Sequence, residues 1–213
     1  MKILVISLFI LSCNSLPSFG DAPARTSKLS NSALIDQMKK GGLVLYFRHA
    51  STEKDYADQV SADVNDGSTQ RVLSEKGWHE AVNIGRAFRH YKIPIAKVLS
   101  SEYFRSWQTA WLAFGEYEKK PDFNFLPFED FNDKQMEIMR KRIVPYLSRK
   151  PKEDKNLVIV GHDDPFEAAT GIYPEPQGVC FILKPNGNQK FEILGQISPD
   201  DWTVSYTHLR AHE

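Results

Sequence analysis

Apolar runs and amphipathic stretches alternate along most of the chain. Residues 43–47, "LVLYF", are an unbroken apolar run of the kind found in strands buried on both faces. Residues 95–101, "IAKVLSS", and 156–162, "NLVIVGH", predict two further strands. Elsewhere the apolar spacing becomes helical. "NSALIDQMKKGG" predicts a short helix with Asn31 or Ser30 as cap and Gly41-Gly42 as stop. "LSEKGWHEAVNIGRAFRHY" has a Ser74 cap and sets Trp78, Ala81, Val82, Ile84, Ala87 and Phe88 at helical spacing. "EYFRSWQTAWLAFGEY" predicts another helix, and "FNDKQMEIMRKRIVPYLSRK" one more that Pro145 bends or ends. "QGVCFILKPNGNQKFEILGQI" predicts a closing hairpin that turns at Asn186-Gly187. Residues 51–72 are polar and Asp-rich, and a loop of that length in a compact domain is usually functional or mobile. The alternation predicts an α/β fold, a three-layer α/β/α sandwich around a mostly parallel central sheet.

Ligands of such sheets bind outside the carboxyl ends of the strands. "LVLYF" ends in Arg48-His49, "IAKVLSS" leads into Arg105, and "NLVIVG" ends in His162. If the strands are parallel, these four groups converge on one crevice. Two guanidinium groups make a poor metal site, because they cannot ligate and they repel a cation. They make a good phosphate site, because each fork can hold phosphoryl oxygens bidentately. A neutral histidine beside them can attack phosphorus and split hydrolysis into two steps. No metal and no cofactor is needed for that chemistry.

The bulk numbers narrow the rest. The 213 residues suit one domain, and 41% hydrophobic with 25% charged residues excludes disordered and fibrous classes. The formal net charge is zero, so nothing global points to nucleic acid, and any anion site is local. Met1-Lys2, then "ILVISLFILS" and small residues, match an export leader whose apolar run is too short to span a bilayer. Residues 1–20 are therefore expected to be a signal peptide, cleaved after Ser18-Phe19-Gly20. The rival is a lipid anchor on Cys13. Either places the mature chain outside the cytoplasm, periplasmic or secreted. Cys180 then lacks a partner and reads as a small buried hydrophobe. Residues 21–203 are expected to form the domain. Residues 204–213, "VSYTHLRAHE", break the preceding pattern and read as a non-native tail, which removes His208 and His212 from consideration.

Four segments now carry a resemblance. "FRHAST" resembles the Arg-His-Gly-x-Thr signature of the histidine phosphatase (phosphoglycerate mutase-like) superfamily. "LSEKGWHEA", "VLSSEYFRSWQTA" and "LVIVGHDDPF" are similar, in order, to its further motifs, from about Leu43 to Phe166. The resemblance implies a phosphoglycerate mutase-like fold. It implies that His49 is the nucleophile that becomes phosphohistidine, and that Arg48, Arg105 and His162 bind the phosphoryl oxygens. Thr52 falls on the signature threonine near the pocket rim. Three departures stand out: Ala50 at the usual glycine, Ser106-Trp107 at the usual Ala-Arg, and Glu80 at the usual glutamine.

Protonating a leaving alkoxide needs an acid within hydrogen-bond reach. Glu129 lies where one branch of the family has its acid. Asp163 and Asp164 directly follow His162, as in the acid phosphatase branch. A phosphoramidate would need neither. The expected activity is hydrolysis of a phosphomonoester or phosphoramidate, carried by a small molecule or an envelope phosphosugar. The alternative is a non-catalytic phosphate- or phosphosugar-binding protein on the same fold. His79 and His90 read as surface or packing residues, and Trp107 and Trp111, four apart on a helix, as core. Asp55, Asp58, Asp63 and Asp66 lack the spacing of a calcium loop.

Overall fold

The computed structural model of the protein describes residues 29–53, 58, 62–127, 131–152 and 154–202. The leader, Cys13, Glu129 and the 204–213 tail lie outside the described residues. No helix among the described residues is long and apolar enough to cross a membrane.

Among the described residues, six strands form one sheet in the order β3-β2-β4-β1-β5-β6. They are β1 Val44–Arg48, β2 Ile95–Ser100, β3 Glu118–Lys119, β4 Asn156–Gly161, β5 Cys180–Gly187 and β6 Lys190–Ile197. β1, β2, β3 and β4 are parallel; β5 and β6 close the sheet antiparallel. Five α-helices among the described residues cover it: α1 Asn31–Lys40, α2 Glu75–His90, α3 Phe104–Phe114, α4 Asp133–Leu147 and α5 Asp163–Thr170. Strand side chains alternate between the two faces. Leu45, Phe47, Val98, Val158 and Ile182 pack with α1, α2 and α3 residues such as Leu34, Ile84 and Ala110. Val44, Tyr46, Leu99, Ile159 and Phe181 pack with Ile143 and Leu147 of α4 and Phe166 of α5. This is the expected three-layer sandwich with a mostly parallel sheet. The central strands are buried along their whole length because both faces are covered.

Local chemistry sets the boundaries. Ser30 caps α1 by accepting from the Ala33 N–H, and Gly41 at φ 77° stops it. Asn132 and Gln135 form a reciprocal capping box on α4. Pro145 neither breaks nor immediately ends that helix, which runs on to Leu147. The hairpin reverses at Asn188-Gln189 rather than at Asn186-Gly187. These are consecutive residues with φ of 50° and 58°, and the strands extend past the Asn-Gly pair until Gly187 faces Lys190.

Trp78 and Trp111 are not core residues; they are 49% and 53% exposed. α2 buries Gly77, Ala81, Ile84 and Phe88, and α3 buries Ser106, Thr109, Ala110 and Ala113. Each tryptophan sits one residue, about 100°, round the helix from a buried position. Trp107 is intermediate; it stacks on Tyr117 and meets the Phe104 ring at a tilt. Cys180 is a free, fully buried thiol that burial pushes well up in pKa.

Helix α2 packs tightly under the segment that follows β1. The Ser74 backbone N–H and hydroxyl both donate to the Ser51 carbonyl, at 3.0 and 3.1 Å. A Cβ on Gly77 would overlap that same carbonyl oxygen. Gly77→Ala is expected to cost about 3 kcal/mol, because the obstacle is backbone that cannot yield as a side chain would. Urea unfolding of the pure protein measures it. A loss below about 1 kcal/mol would mean that α2 slides without penalty.

Candidate active site

The carboxyl ends of β1, β2 and β4 meet as the parallel register requires. β1 is clamped on both sides where it ends. The Arg48 N–H donates to the Val179 carbonyl at 3.1 Å and the His49 N–H to the Gly161 carbonyl at 3.0 Å, while the Gly178 N–H returns to the His49 carbonyl at 2.9 Å. On β4, the Tyr46 hydroxyl donates to the His162 carbonyl at 2.6 Å. Arg105 lies in the first turn of α3, just after β2.

All four predicted groups come together. The His49 and His162 ring centroids are 5.5 Å apart, and the Arg105 Nε–H donates to His49 Nε2 at 3.1 Å. Both histidines are fully buried, and Arg48 and Arg105 are 5% and 2% exposed. Charges buried this deeply need partners. Arg48 is ion-paired with Asp163, donates to the Pro174 carbonyl at 3.0 Å, and lies over the Tyr173 ring. Arg105 donates through Nη1 to the Asp58 carboxylate at 2.9 Å and lies over the Tyr103 and Phe125 rings. Asp58 also accepts from the Arg71 N–H at 2.7 Å. Two carboxylates thus occupy edges of the two guanidinium groups. The Arg48 Nε–H is buried with no partner among the described residues.

The protonation of His49 follows from its partners. Nδ1 lies 2.9 Å from the Ala50 carbonyl, which can only accept, so Nδ1 carries the proton. Nε2 then presents its lone pair. Burial first, then the Arg105 charge, holds the His49 pKa well below the usual imidazole range. The ring is therefore neutral near pH 7. Burial, Arg105 and His49 do the same to His162.

The acid candidates divide. Asp163 pairs with Arg48 and accepts from the Tyr173 hydroxyl at 2.8 Å. Asp164, beside it on α5, has its pKa raised to about 6 by burial, then by Asp163 and Glu167. Asp164 therefore keeps its proton below about pH 6. Glu129 lies outside the described residues. Thr52 is buried at the end of the clamped segment, where its N–H donates to Gln177 Oε1 at 2.9 Å.

Glu80 now has a reason. Its two carboxylate oxygens accept from the Ser51 N–H at 2.8 Å and the Ser51 hydroxyl at 2.9 Å. A glutamine offers one acceptor and would turn an NH2 toward the second donor. Glu80→Gln is expected to lose about 1–3 kcal/mol in urea unfolding, since one part-buried donor loses its partner. An unchanged midpoint would show that Ser51 reorients freely.

Sequence reasoning missed Tyr173, Ser101, Asn124 and Gln177, whose partners lie far along the chain. It weighed Asp58 only as a cation ligand. Of the loop aspartates, Asp58 is bound to Arg105, while Asp63 and Asp66 cap local turns through Asn65 and Ser68. Asp55 lies outside the described residues.

No protein-family model matches the sequence, and no curated protein matches it. Solved structures do. The protein histidine phosphatase SixA complexed with tungstate aligns at TM-score 0.55 and 14% identity, over 76% of this chain and 99% of that one. A phosphoserine phosphatase from Entamoeba histolytica, in complex with 3-phosphoglyceric acid, aligns at TM-score 0.56 and 15% identity, over 76% and 99%. Mycobacterial hydrolase 1 aligns at TM-score 0.53 and 12% identity, over 71% and 94%. The chain shares its fold with these proteins.

Proposed function

We propose that this chain, built on the fold of the histidine phosphatases, is a phosphatase that works through a phosphohistidine on His49. The observation that carries the reading is the His49 environment. A buried neutral imidazole is locked with its proton on Nδ1, and its Nε2 lone pair faces a guanidinium that can bind phosphoryl oxygens.

The substrate phosphoryl group displaces the Asp58 and Asp163 carboxylates from Arg105 and Arg48, and both forks spread its equatorial charge. Arg105 Nε–H passes from His49 Nε2 to a phosphoryl oxygen. His49 Nε2 attacks phosphorus, and the bond to the leaving oxygen or nitrogen breaks. Asp164 gives its proton to a leaving alkoxide and, as carboxylate, takes one from the water that hydrolyses the phosphohistidine. His49 returns to its starting form and phosphate departs. The step needs no metal, because the guanidinium groups supply the positive charge.

The substrate is a phosphomonoester or phosphoramidate. With residues 1–20 read as an export leader, a phosphorylated envelope sugar is the natural class to assay. Purified protein should hydrolyse an aryl phosphate in the presence of a chelator and form an acid-labile phosphoprotein. Tight phosphate binding without turnover would identify the chain as a binding protein instead.

A further inference from the structure

The second histidine carries a hydrogen-bonded chain that the phosphatase reading does not use. His162 Nε2 lies 2.8 Å from Ser101 Oγ. Ser101 Oγ lies 2.8 Å from Asn124 Oδ1 and also accepts from the Tyr103 N–H at 3.2 Å. Asn124, in the segment after β3, is gripped twice by Glu102. The Glu102 N–H donates to Asn124 Oδ1 at 3.0 Å, and Asn124 Nδ2 donates to Glu102 Oε2 at 2.8 Å.

These contacts leave one proton arrangement. Glu102 fixes the Asn124 amide with its oxygen toward Ser101, since a backbone N–H must meet an acceptor and a carboxylate must meet a donor. The one hydroxyl proton of Ser101 then goes to Asn124 Oδ1. Ser101 Oγ can only accept from His162, so Nε2 carries the imidazole proton. Were it bare, two lone pairs would face each other at 2.8 Å. Ser106 Oγ, at 3.4 Å from Nε2, is a more distant second acceptor. Nδ1 is left as a bare nitrogen, buried and without a partner among the described residues. A lone pair repels an anion, so Nδ1 cannot meet a phosphoryl oxygen until it is protonated.

We propose that Asn124, acting through Ser101, fixes His162 as the tautomer protonated at Nε2, so that Nδ1 takes up a proton from solvent as a phosphoryl anion enters and donates it to that anion. Asn124 is a positioning residue: it touches neither the phosphate nor the nucleophile. The groups that act on His162 agree with this. Arg48 and His49 at the end of β1, Arg71 before α2 and Arg105 on α3 all disfavour its charge in the empty site. An incoming dianion reverses that balance. Asp163 and Asp164 on α5 follow it directly in the chain, and the Tyr46 hydroxyl engages only its carbonyl. The ligand in this proposal rests on the phosphatase reading; the tautomer does not.

Nitrogen-15 NMR of the full chain reads the tautomer in the empty protein. Nε2–H is expected for His162, and Nδ1–H would overturn the relay. Calorimetry with tungstate, a dianion across the neutral range, in two buffers of different ionisation enthalpy counts protons. Uptake of about one proton per anion near neutral pH is expected for the native chain and again for Asp164→Asn, which removes the carboxyl group that would also gain a proton from a nearby anion. Asn124→Leu frees the Ser101 proton to turn to His162 Nε2. That tautomer already has a donor at Nδ1, so uptake should fall below about half of the native value. Asn124→Gln keeps an amide that can turn its oxygen toward Ser101 and its NH2 toward Glu102, and should retain the native tautomer and uptake. If Asn124→Leu does not fold, Ser101→Ala serves, and the native spectrum remains decisive. Equal uptake in the native and leucine forms overturns the proposal. Failure to bind tungstate at all overturns the functional reading and the proton uptake with it, while the tautomer is still read.

Discussion

His49→Ala should lower the turnover of an aryl phosphate by roughly 10^4- to 10^6-fold and abolish the acid-labile phosphoprotein, as loss of a covalent nucleophile does elsewhere. An aryl phosphate is the stringent choice here. Its leaving group departs without an acid, so the assay isolates attack at phosphorus from proton transfer. Loss of the ring does not itself expose a charge. Arg105 keeps its ion pair with Asp58, and Arg48 keeps Asp163 and the Pro174 carbonyl. The variant should therefore fold, and tungstate should still bind to the two guanidinium groups with modest weakening. That combination, binding kept and turnover lost, separates a nucleophile from a structural histidine. Retention of more than about a tenth of the native rate would remove His49 from the reaction path.

How much of this was legible in the sequence depended on how local each signal is. Arg48, His49 and His162 could be placed because each follows an apolar strand directly, and parallel strands bring equivalent ends together. Arg105 needed one more step, from β2 into the first turn of α3. The carboxylates that occupy these guanidinium groups divide by the same logic. Asp163 is adjacent to His162 and could be suspected, whereas Asp58 reaches Arg105 across 47 positions with no periodic pattern to announce it. The Ser101–Asn124 contact is likewise invisible, since it depends on where the segment after β3 crosses the site. Helix α5 spans eight residues, too few for an amphipathic period to stand out. The exposed Trp78 and Trp111 show the opposite failure. Their apolar character was real, but 3.6-residue geometry put them just off the buried stripe. Glu80 was noticed as a departure, and only the two Ser51 donors explain it.

Asp164→Asn should cost about 10^2- to 10^4-fold in kcat/KM on an alkyl phosphate and little in kcat/KM on an aryl phosphate, because kcat/KM ends with the departure of the leaving group and leaves out hydrolysis of the phosphohistidine. The difference follows from the leaving groups: an alkoxide must be protonated as it departs, and a phenolate need not be. The pH dependence carries the sharper test. A general acid works only while it holds its proton, and Asp164 holds one below about pH 6. With alkyl substrates, kcat/KM should therefore fall as pH rises through that value. His49 does not blur this limb. The His49 pKa is pushed well down, so the ring is already neutral and gains nothing from a further rise in pH. The substrate's own second ionisation lies near pH 6 as well, so a single profile would mislead. The informative quantity is the ratio of native to Asp164→Asn kcat/KM values, in which the substrate's titration cancels. That ratio should be large at low pH and shrink toward one above pH 6 for alkyl phosphates, while staying near one throughout for aryl phosphates. A ratio independent of pH would show that Asp164 only shapes the pocket. A ratio of one everywhere would move the acid to another carboxyl group, and Glu129→Gln put through the same pair of substrates would then identify it or exclude it.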